Sequence, residues 1–229
     1  MKKLVILTGA GISAESGIKT FRDSDGLWEG HNLMEVATPQ GWFKNQELVL
    51  DFYNQRRKQL HKVNPNIGHK ILAELEQQFD VHIITQNVDN LHQQAGSTKV
   101  LHLHGELFKV RSTKDKNYIL DWTSDLKTGD VDPNGNQLRP HIVWFGEDVP
   151  ALDEAINITQ QADYFVIIGT SMQVYPAAGL LHYTNKNVPV FYIDPKPAPI
   201  YDIVNPLEVI SMSATEGVPY WSEKLLKSM

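Results

Sequence analysis

Gly9, Gly11 and Ala14 follow the apolar run Leu4-Val5-Ile6-Leu7 in the order Gly-x-Gly-x-x-Ala. A buried strand that runs into a glycine turn and a short helix brings backbone N–H groups up to a pyrophosphate, at the positive end of the helix. Short glycine patterns recur by chance, so on this segment alone a strand–turn–helix that binds nothing stays open. The ordinary dinucleotide fingerprint also asks for a second strand ending in an acidic residue about 20 residues later. Here the chain reads Thr20-Phe21-Arg22 and then Asp25-Gly26-Leu27-Trp28, polar and aromatic without strand alternation. The pattern predicts a nucleotide loop with a long insertion behind it.

Further groups able to do chemistry sit where other apolar runs end. One run opens into Thr85-Gln86-Asn87-Val88-Asp89, another into His102-Leu103-His104-Gly105, a third into Gly169-Thr170-Ser171. Hydrogen-bonding groups from three neighbouring strands at one rim are the expected make-up of an active site. His102 and His104 are two apart, which on a strand places them on one side, and either has the pKa range of a base near neutral pH.

The elements that must position these groups are strands alternating with helices. Apolar or β-branched runs cover Leu4–Thr8, Val81–Gln86, Val100–Leu103, Tyr164–Ile168, Val188–Ile193 and Glu208–Met212. Several lack polar alternation, as parallel strands covered on both faces do. Ile67, Ile71, Leu75 and Phe79 recur every four residues on one helical face; Leu48, Phe52 and Leu60 line another helix. Helices are also expected over Asp153–Gln161 and Glu216–Lys227. The alternation predicts an α/β fold, a Rossmann-like doubly wound parallel sheet of about six strands, with its ligand at the carboxyl ends. Two segments fall outside it: residues 29–66 read as helix without a strand, and 109–140 are polar with a turn at Asp132-Pro133-Asn134-Gly135-Asn136. The expected division is a nucleotide-binding domain of residues 1–28, 67–108 and 141–229. A smaller domain is built from the two insertions.

Composition narrows the class. The 229 residues are 41% hydrophobic and carry a formal net charge of -6. An acidic chain without a basic block argues against a nucleic-acid partner. No apolar stretch approaches the roughly 20 residues that span a bilayer. Met1-Lys2-Lys3 leads into an apolar run too short for a secretion signal, so no membrane partner and a cytoplasmic location are expected. The absence of cysteine excludes disulfides, thiolate catalysis and thiolate zinc sites.

Read together, the motifs resemble the sirtuins, NAD-dependent protein-lysine deacylases. Gly9-Ala10-Gly11-Ile12-Ser13, Thr20-Phe21-Arg22, Thr85-Gln86-Asn87-Val88-Asp89, His104-Gly105, Leu138-Arg139-Pro140, Val143-Trp144-Phe145-Gly146-Glu147 and Gly169-Thr170-Ser171 stand in the family's order along nearly the whole chain. Ala37-Thr38-Pro39 and the pair Tyr53 and Arg56 resemble the bacterial members that remove acidic acyl groups. The resemblance implies that NAD is held by Gly9, Ala10, Gly11, Ser13, Thr20, Phe21, Arg22 and Trp28. Gln86, Asn87 and Asp89 would take the nicotinamide ribose and carboxamide, and Gly169, Thr170, Ser171, Asp194 and Ala214 the adenosine side. His104 would be the general base, with Asn87 beside it in the catalytic set. Tyr53, Arg56, Val143, Phe145, Gly146 and Val174 would bind the substrate, an acyl-lysine protein or peptide lying as an added strand. The implied products are free lysine, nicotinamide and O-acyl-ADP-ribose.

Two features depart from the family. Its four zinc cysteines are missing: Ser112 stands near the place of the first, and the Asp132–Gln137 turn near the second pair, so no metal is expected. Asp194 replaces a frequent Asn after its strand; a carboxylate suits ribose hydroxyls and disfavours a 2′-phosphate, which favours NAD over NADP. Three activities compete: a deacylase for acetyl, succinyl and malonyl groups, an NAD glycohydrolase or ADP-ribosyltransferase on the same fold, and a non-enzymatic NAD-binding protein.

Overall fold

The computed structural model describes residues 1–19, 27–28 and 30–227. The chain runs β1 (Lys3–Thr8), α1 (Gly11–Ala14), β2 (Leu27–Trp28), β3 (His31–Asn32), α2 (Leu33–Val36), α3 (Pro39–Lys44), α4 (Gln46–Leu60) and α5 (Ile67–Glu74). There follow β4 (Asp80–Thr85), α6 (Leu91–Ala95), β5 (Val100–His102), β6 (Gly105–Ser112), β7 (Ile119–Asp121) and β8 (Leu138–Ile142). The last elements are α7 (Leu152–Thr159), β9 (Tyr164–Ile168), β10 (Val190–Ile193), β11 (Leu207–Ile210) and α8 (Ala214–Lys227).

The main sheet has the order β11-β10-β9-β1-β4-β5, every pair parallel. It is doubly wound around β1, whose neighbours β4 and β9 lead away in opposite directions. Strand alternation divides the apolar run of β1 between two layers. Leu4 and Ile6 pack with Leu72 of α5 and Trp221 of α8. Val5 and Leu7 pack with Ala155 of α7 and Leu180 on the other side. Both faces are covered, which is why the run carries no polar interruption.

A second core joins the two insertions. Phe52 and Tyr53 of α4 pack with Leu107 and Val110 of β6, Leu138 of β8 and Trp144. Thr38 and Asn45 cap α3 and α4, each accepting a backbone N–H, with Pro39 in the first turn of α3. Segment 29–66 is not wholly helical: β3 pairs with β2 ahead of α2. Segment 109–140, read as polar, belongs to an antiparallel sheet β7-β6-β8 that begins at Gly105 and ends at Ile142. Arg57 ties α4 to that sheet, donating from Nε to the Leu107 carbonyl (3.0 Å) and from Nη1 to Asn54 Oδ1 (2.8 Å). Burial pulls its pKa down to about 10. Of the expected face, Ile71 packs against the core and Leu75 and Phe79 are buried just past the end of α5; Ile67 is the exception. Ile67 is exposed, while Gly68, His69 and Leu72 are buried, because Gly68 lies against the carbonyl of Ala214 at the start of α8.

The tip of the small sheet is organised by a serine and a carboxylate. Ser112 Oγ donates to Asp132 Oδ2 (2.6 Å) and accepts the N–H groups of Lys114 and Asp115. Asp132 Oδ1 accepts the N–H groups of Asn134 and Asn136, each at 2.9 Å. The Ser112 hydroxyl and the Asn136 and Asn134 donors hold Asp132 down at about 2. This pair closes the turn at the place where the sequence reading noted the missing cysteines. Its contribution is fully present above the ordinary pKa of 3.8 and is lost as pH falls through about 2. Asp132→Asn should therefore melt several degrees below the parent at pH 7, with the gap closing as pH drops below 4. Equal melting temperatures at pH 7 would remove Asp132 from this role. A chelator should leave the parent's melting unchanged; a fall would point to metal ligands other than thiolates.

Candidate active site

The carboxyl ends of β1, β4, β5 and β9 meet at one rim. Gly9 N–H donates to the Ile168 carbonyl (3.0 Å) and Gly11 N–H to the Gly169 carbonyl (2.8 Å). Gly169 has φ +62°, and a Cβ there would stand 2.4 Å from the Ile12 nitrogen. Only a glycine lets the β1–α1 turn seat on the end of β9. Gln86 Nε2 donates to Thr170 Oγ1 (3.1 Å), and the Tyr192 hydroxyl donates to the Thr170 carbonyl (2.8 Å). Ala10 lies in the turn and Ser171 follows Thr170, both partly exposed at the rim.

Beneath the turn is a buried polar chain. Ser13 Oγ donates to Asp89 Oδ2 (3.0 Å) and accepts from Asn87 Nδ2 (3.2 Å). Asp89 Oδ1 in turn accepts the Leu91 N–H at the start of α6 (3.1 Å). Burial pushes the Asp89 carboxyl up, opposed by the Leu91 N–H and the Ser13 hydroxyl. Residues absent from the sequence reading complete the layer. His92 Nε2 meets Thr8 Oγ1 (3.0 Å), and the rings of His69 and His92 pack edge to face, 4.9 Å apart. Burial lowers His69 to about 4 and holds His92 well below the usual histidine range. They are neutral spacers behind the rim. The available signal was polar residues inside apolar runs, Thr8 in β1 and Thr85 in β4, which needed partners.

The two histidines expected on one strand are divided by its end. β5 stops at His102; His104 lies in the turn, and Gly105 has φ +83°. A Cβ on Gly105 would stand 2.0 Å from the His141 carbonyl, so the chain breaks from the strand to begin β6. His102 Nδ1 faces the Asn87 carbonyl (2.9 Å) and its Nε2 faces Gln93 Nε2 (2.7 Å). Both of its nitrogens are used. His104 Nδ1 faces the Gln86 carbonyl (3.0 Å). A carbonyl only accepts, so Nδ1 carries the hydrogen and Nε2 is the basic nitrogen. Burial lowers the His104 pKa, opposed by the bond to Gln86. The structure thus distinguishes a satisfied histidine from one with a lone pair to offer.

Tyr53, Arg56, Val143, Phe145, Gly146 and Val174 are the residues expected on the substrate side. Tyr53 is fully buried and its hydroxyl accepts from Trp144 Nε1 (3.0 Å). Arg56 sits over the Phe52 ring (4.9 Å to its centre) and lines a cavity of about 50 Å³ with Leu60, Val88, Asp89 and Leu107. Tyr53 does not line that cavity; Asp89 does. Val143 N–H donates to the His104 carbonyl, Phe145 N–H to the Ala37 carbonyl and Glu147 N–H to the Trp144 carbonyl. The side chains of Phe145 and Val174 are exposed. Glu147 binds Arg139 (2.7 Å) and Arg111 (3.1 Å) and accepts the Trp144 N–H (2.8 Å). Burial works against its carboxylate, yet these donors hold its pKa below the usual range.

Asp194 is buried and caps the Lys196 N–H (2.8 Å); Ala214 is buried at the start of α8. Thr20, Phe21 and Arg22, and the side chain of Trp28, lie outside the described residues. Among the described residues no group of three or more metal-ligating side chains occurs, and no helix is long and apolar enough to cross a membrane.

Comparison with known proteins agrees with this arrangement. Residues 9–176 match the model of the Sir2 family. The chain is 64% identical over 196 residues to an NAD-dependent protein deacylase of Helicobacter pylori, covering 86% of each. It is 52% identical over 232 residues to one of Bacteroides thetaiotaomicron, covering 99% of each. A solved Sir2 homologue in complex with NAD superposes with a TM-score of 0.88 at 38% identity, over 99% of this chain and 90% of that one. A Sir2 protein solved with a deacetylated p53 peptide and 3′-O-acetyl ADP-ribose superposes with a TM-score of 0.80 at 30% identity, over 96% of this chain and 92% of that one. With residues 9–176, most of its length, matched by the family model, this chain belongs to the Sir2 family.

Proposed function

We propose that this chain, an NAD-dependent protein deacylase, uses His104 as its general base and accepts acidic acyl groups as well as acetyl. The observation that carries the first part is the His104 tautomer: Nδ1 is engaged by the Gln86 carbonyl, leaving Nε2 as the base at the rim. The glycine turn places the N-terminal end of α1 at the rim where a dinucleotide would lie; Gly9 and Gly11 serve this by seating the turn on the end of β9, their N–H groups spent on the Ile168 and Gly169 carbonyls. Ser13, Asn87 and Asp89 form a linked polar set for the ribose and carboxamide, and Gly169, Thr170, Ser171, Asp194 and Ala214 border the adenosine side. Thr20, Phe21, Arg22 and Trp28 would close over the cofactor. When bound, NAD would supply an electrophilic ribose carbon, to which the acyl oxygen would bond as nicotinamide leaves. His104 then takes a proton from a ribose hydroxyl, a task for a neutral imidazole near pH 7. The acyl group would pass from the lysine nitrogen to an ADP-ribose hydroxyl with one water consumed, so the products would be free lysine, nicotinamide and O-acyl-ADP-ribose.

An acyl-lysine peptide would lie along Val143, Phe145 and Gly146 with Val174 on its other side, in the manner of an added strand. Its acyl chain would enter the cavity lined by Arg56. A guanidinium can grip a terminal carboxylate with two parallel bonds, and the Tyr53 hydroxyl can add another. We further propose the division into residues 1–28, 67–108 and 141–229 for the nucleotide and 29–66 with 109–140 for the smaller domain. The shared core of Phe52, Val110 and Leu138 supports it. Glycohydrolase activity on the same fold is the competing reading.

Purified protein with NAD, with and without an acylated peptide, tests the reaction. Nicotinamide release should depend on the peptide; release without it would favour the glycohydrolase. His104→Ala should lose about 10²–10⁴-fold in turnover with NAD affinity within a small factor, whereas His102→Ala should be mild. Because burial lowers the His104 pKa, the acid limb of the rate profile should lie below 6.5. Turnover falling already above that value would remove this assignment. Hydrogen bonds to charged groups contribute about 1.5–3 kcal/mol, so Arg56→Met should lower the succinyl-to-acetyl ratio of kcat/KM by about 10- to 150-fold. An unchanged ratio would make Arg56 structural.

A further inference from the structure

One peptide unit past the end of β4 is held on both of its polar sides. It joins Gln86 to Asn87. Its carbonyl, that of Gln86, accepts from His104 Nδ1 (3.0 Å), and its N–H, that of Asn87, donates to Thr85 Oγ1 (3.0 Å). The strand ladder stops just before it. The Thr85 carbonyl accepts the Leu103 N–H, and the Gln86 N–H goes to the Thr8 carbonyl, each at 2.9 Å. The Asn87 N–H has no strand partner, and the Thr85 hydroxyl takes it from two residues back, a local bond that hydroxyl side chains make where regular structure ends. Thr85 is itself fixed. Thr8 and Thr85 stand side by side in the parallel pair of β1 and β4, and both are fully buried. Thr8 Oγ1, with His92 Nε2 3.0 Å away, donates to Thr85 Oγ1 (2.8 Å). The Thr85 oxygen thus accepts from Thr8 and from Asn87 together.

We infer that Thr85 is a positioning residue for the general base: by accepting the Asn87 N–H it orients the amide whose carbonyl keeps the hydrogen of His104 on Nδ1 and the lone pair on Nε2. This rests on the reading of His104 as the base. Two effects run through the amide. The first is direction: a peptide unit is a rigid plane, so fixing its N–H also fixes the line of its carbonyl. The second is polarisation: linked hydrogen bonds strengthen one another, and an amide that donates is a better acceptor at its oxygen. Without the hydroxyl, the carbonyl holds the imidazole less firmly. The ring can then place its hydrogen on Nε2, the tautomer that has no lone pair there to take a proton from a ribose hydroxyl. Thr8 stands one step further back, as the donor that keeps the Thr85 oxygen in place.

Thr85→Val keeps the branched shape and removes the hydroxyl, whereas Thr85→Ser keeps the hydroxyl. Nitrogen-15 spectra of the His104 ring, taken with the imidazole neutral, should show a protonated Nδ1 and an unprotonated Nε2 in the parent and in Thr85→Ser. In Thr85→Val the two signals should be drawn toward each other. The kcat of Thr85→Val on an acetyl-lysine peptide should fall about 3- to 10-fold, the range for one neutral hydrogen bond, with Thr85→Ser close to the parent. Added to His104→Ala, Thr85→Val should not lower the residual turnover further. Unchanged ring signals in Thr85→Val, a Thr85→Ser protein as impaired as Thr85→Val, or a further loss of the same size on top of His104→Ala would each overturn the inference. If Thr85→Val does not fold, Thr85→Ala carries the same test, since it removes the hydroxyl without setting a methyl group against the Asn87 N–H. The two layers separate. Undiminished turnover in His104→Ala sinks the reading of the base and this inference with it. An inactive His104→Ala beside unchanged ring signals in Thr85→Val sinks the inference alone.

Discussion

The site depends on a contact between two backbones. The β1–α1 turn rests on the end of β9 so closely that neither Gly11 nor Gly169 can carry a Cβ. Two N–H groups of the turn, from Gly9 and Gly11, are spent on the Ile168 and Gly169 carbonyls. This contact sets where the turn sits relative to the sheet, and so where Ser13 points. Ser13 then reaches Asp89 and Asn87 at the end of the neighbouring strand β4. A parallel sheet makes the arrangement possible because its strands end on the same edge. The order around β1 places β4 on one side and β9 on the other.

Hydrogen-bond direction, more than charge, differentiates the polar groups of this rim. Burial disfavours every charged form, so His69, His92 and His104 are all held below the ordinary histidine pKa. What separates His104 from His102 is the number of nitrogens already engaged. The Gln86 and Asn87 carbonyls, one residue apart, each fix one imidazole. Gln93 then completes His102. The same logic holds for Tyr53, whose hydroxyl is an acceptor for the indole of Trp144.

The main sheet was legible in the sequence because its strands are covered on both faces. Apolar runs such as Leu4–Leu7 and Tyr164–Ile168 carry no competing signal, and each became a strand. Short strands were not legible: β2 and β3 hold two residues each, and β7 holds three with Ile119 exposed. The break between His102 and His104 was hidden for another reason. It follows from the close approach of Gly105 to the backbone of β8, a partner far away in sequence. Motif residues with backbone roles were readable from spacing. Supporting residues such as His92, Arg57 and Trp144 were not, since a buried polar side chain is defined by the partner it finds.

The small sheet shows how one fold can hold its tip without thiolates. A zinc site closes loops by binding several side chains to one cation. Here Ser112 and Asp132 close the turn by collecting backbone N–H groups from both sides, with Asn136 joining through its side chain. A carboxylate that accepts several donors is satisfied locally and needs no counter-ion. The base of the same sheet is anchored differently, by Arg57 and Asn54 of α4, which bond the Leu107 carbonyl and both backbone groups of Leu126. Tyr53 and Arg56 stand on that same helix, a turn or less from Arg57. The small sheet is thereby bound on one side to α4, and on the other to the rim, where the Leu107 N–H is donated to the Val88 carbonyl and the Val143 N–H to the His104 carbonyl. Its stability is thus coupled both to the helix that carries Tyr53 and Arg56 and to the segment that carries Asn87 and Asp89.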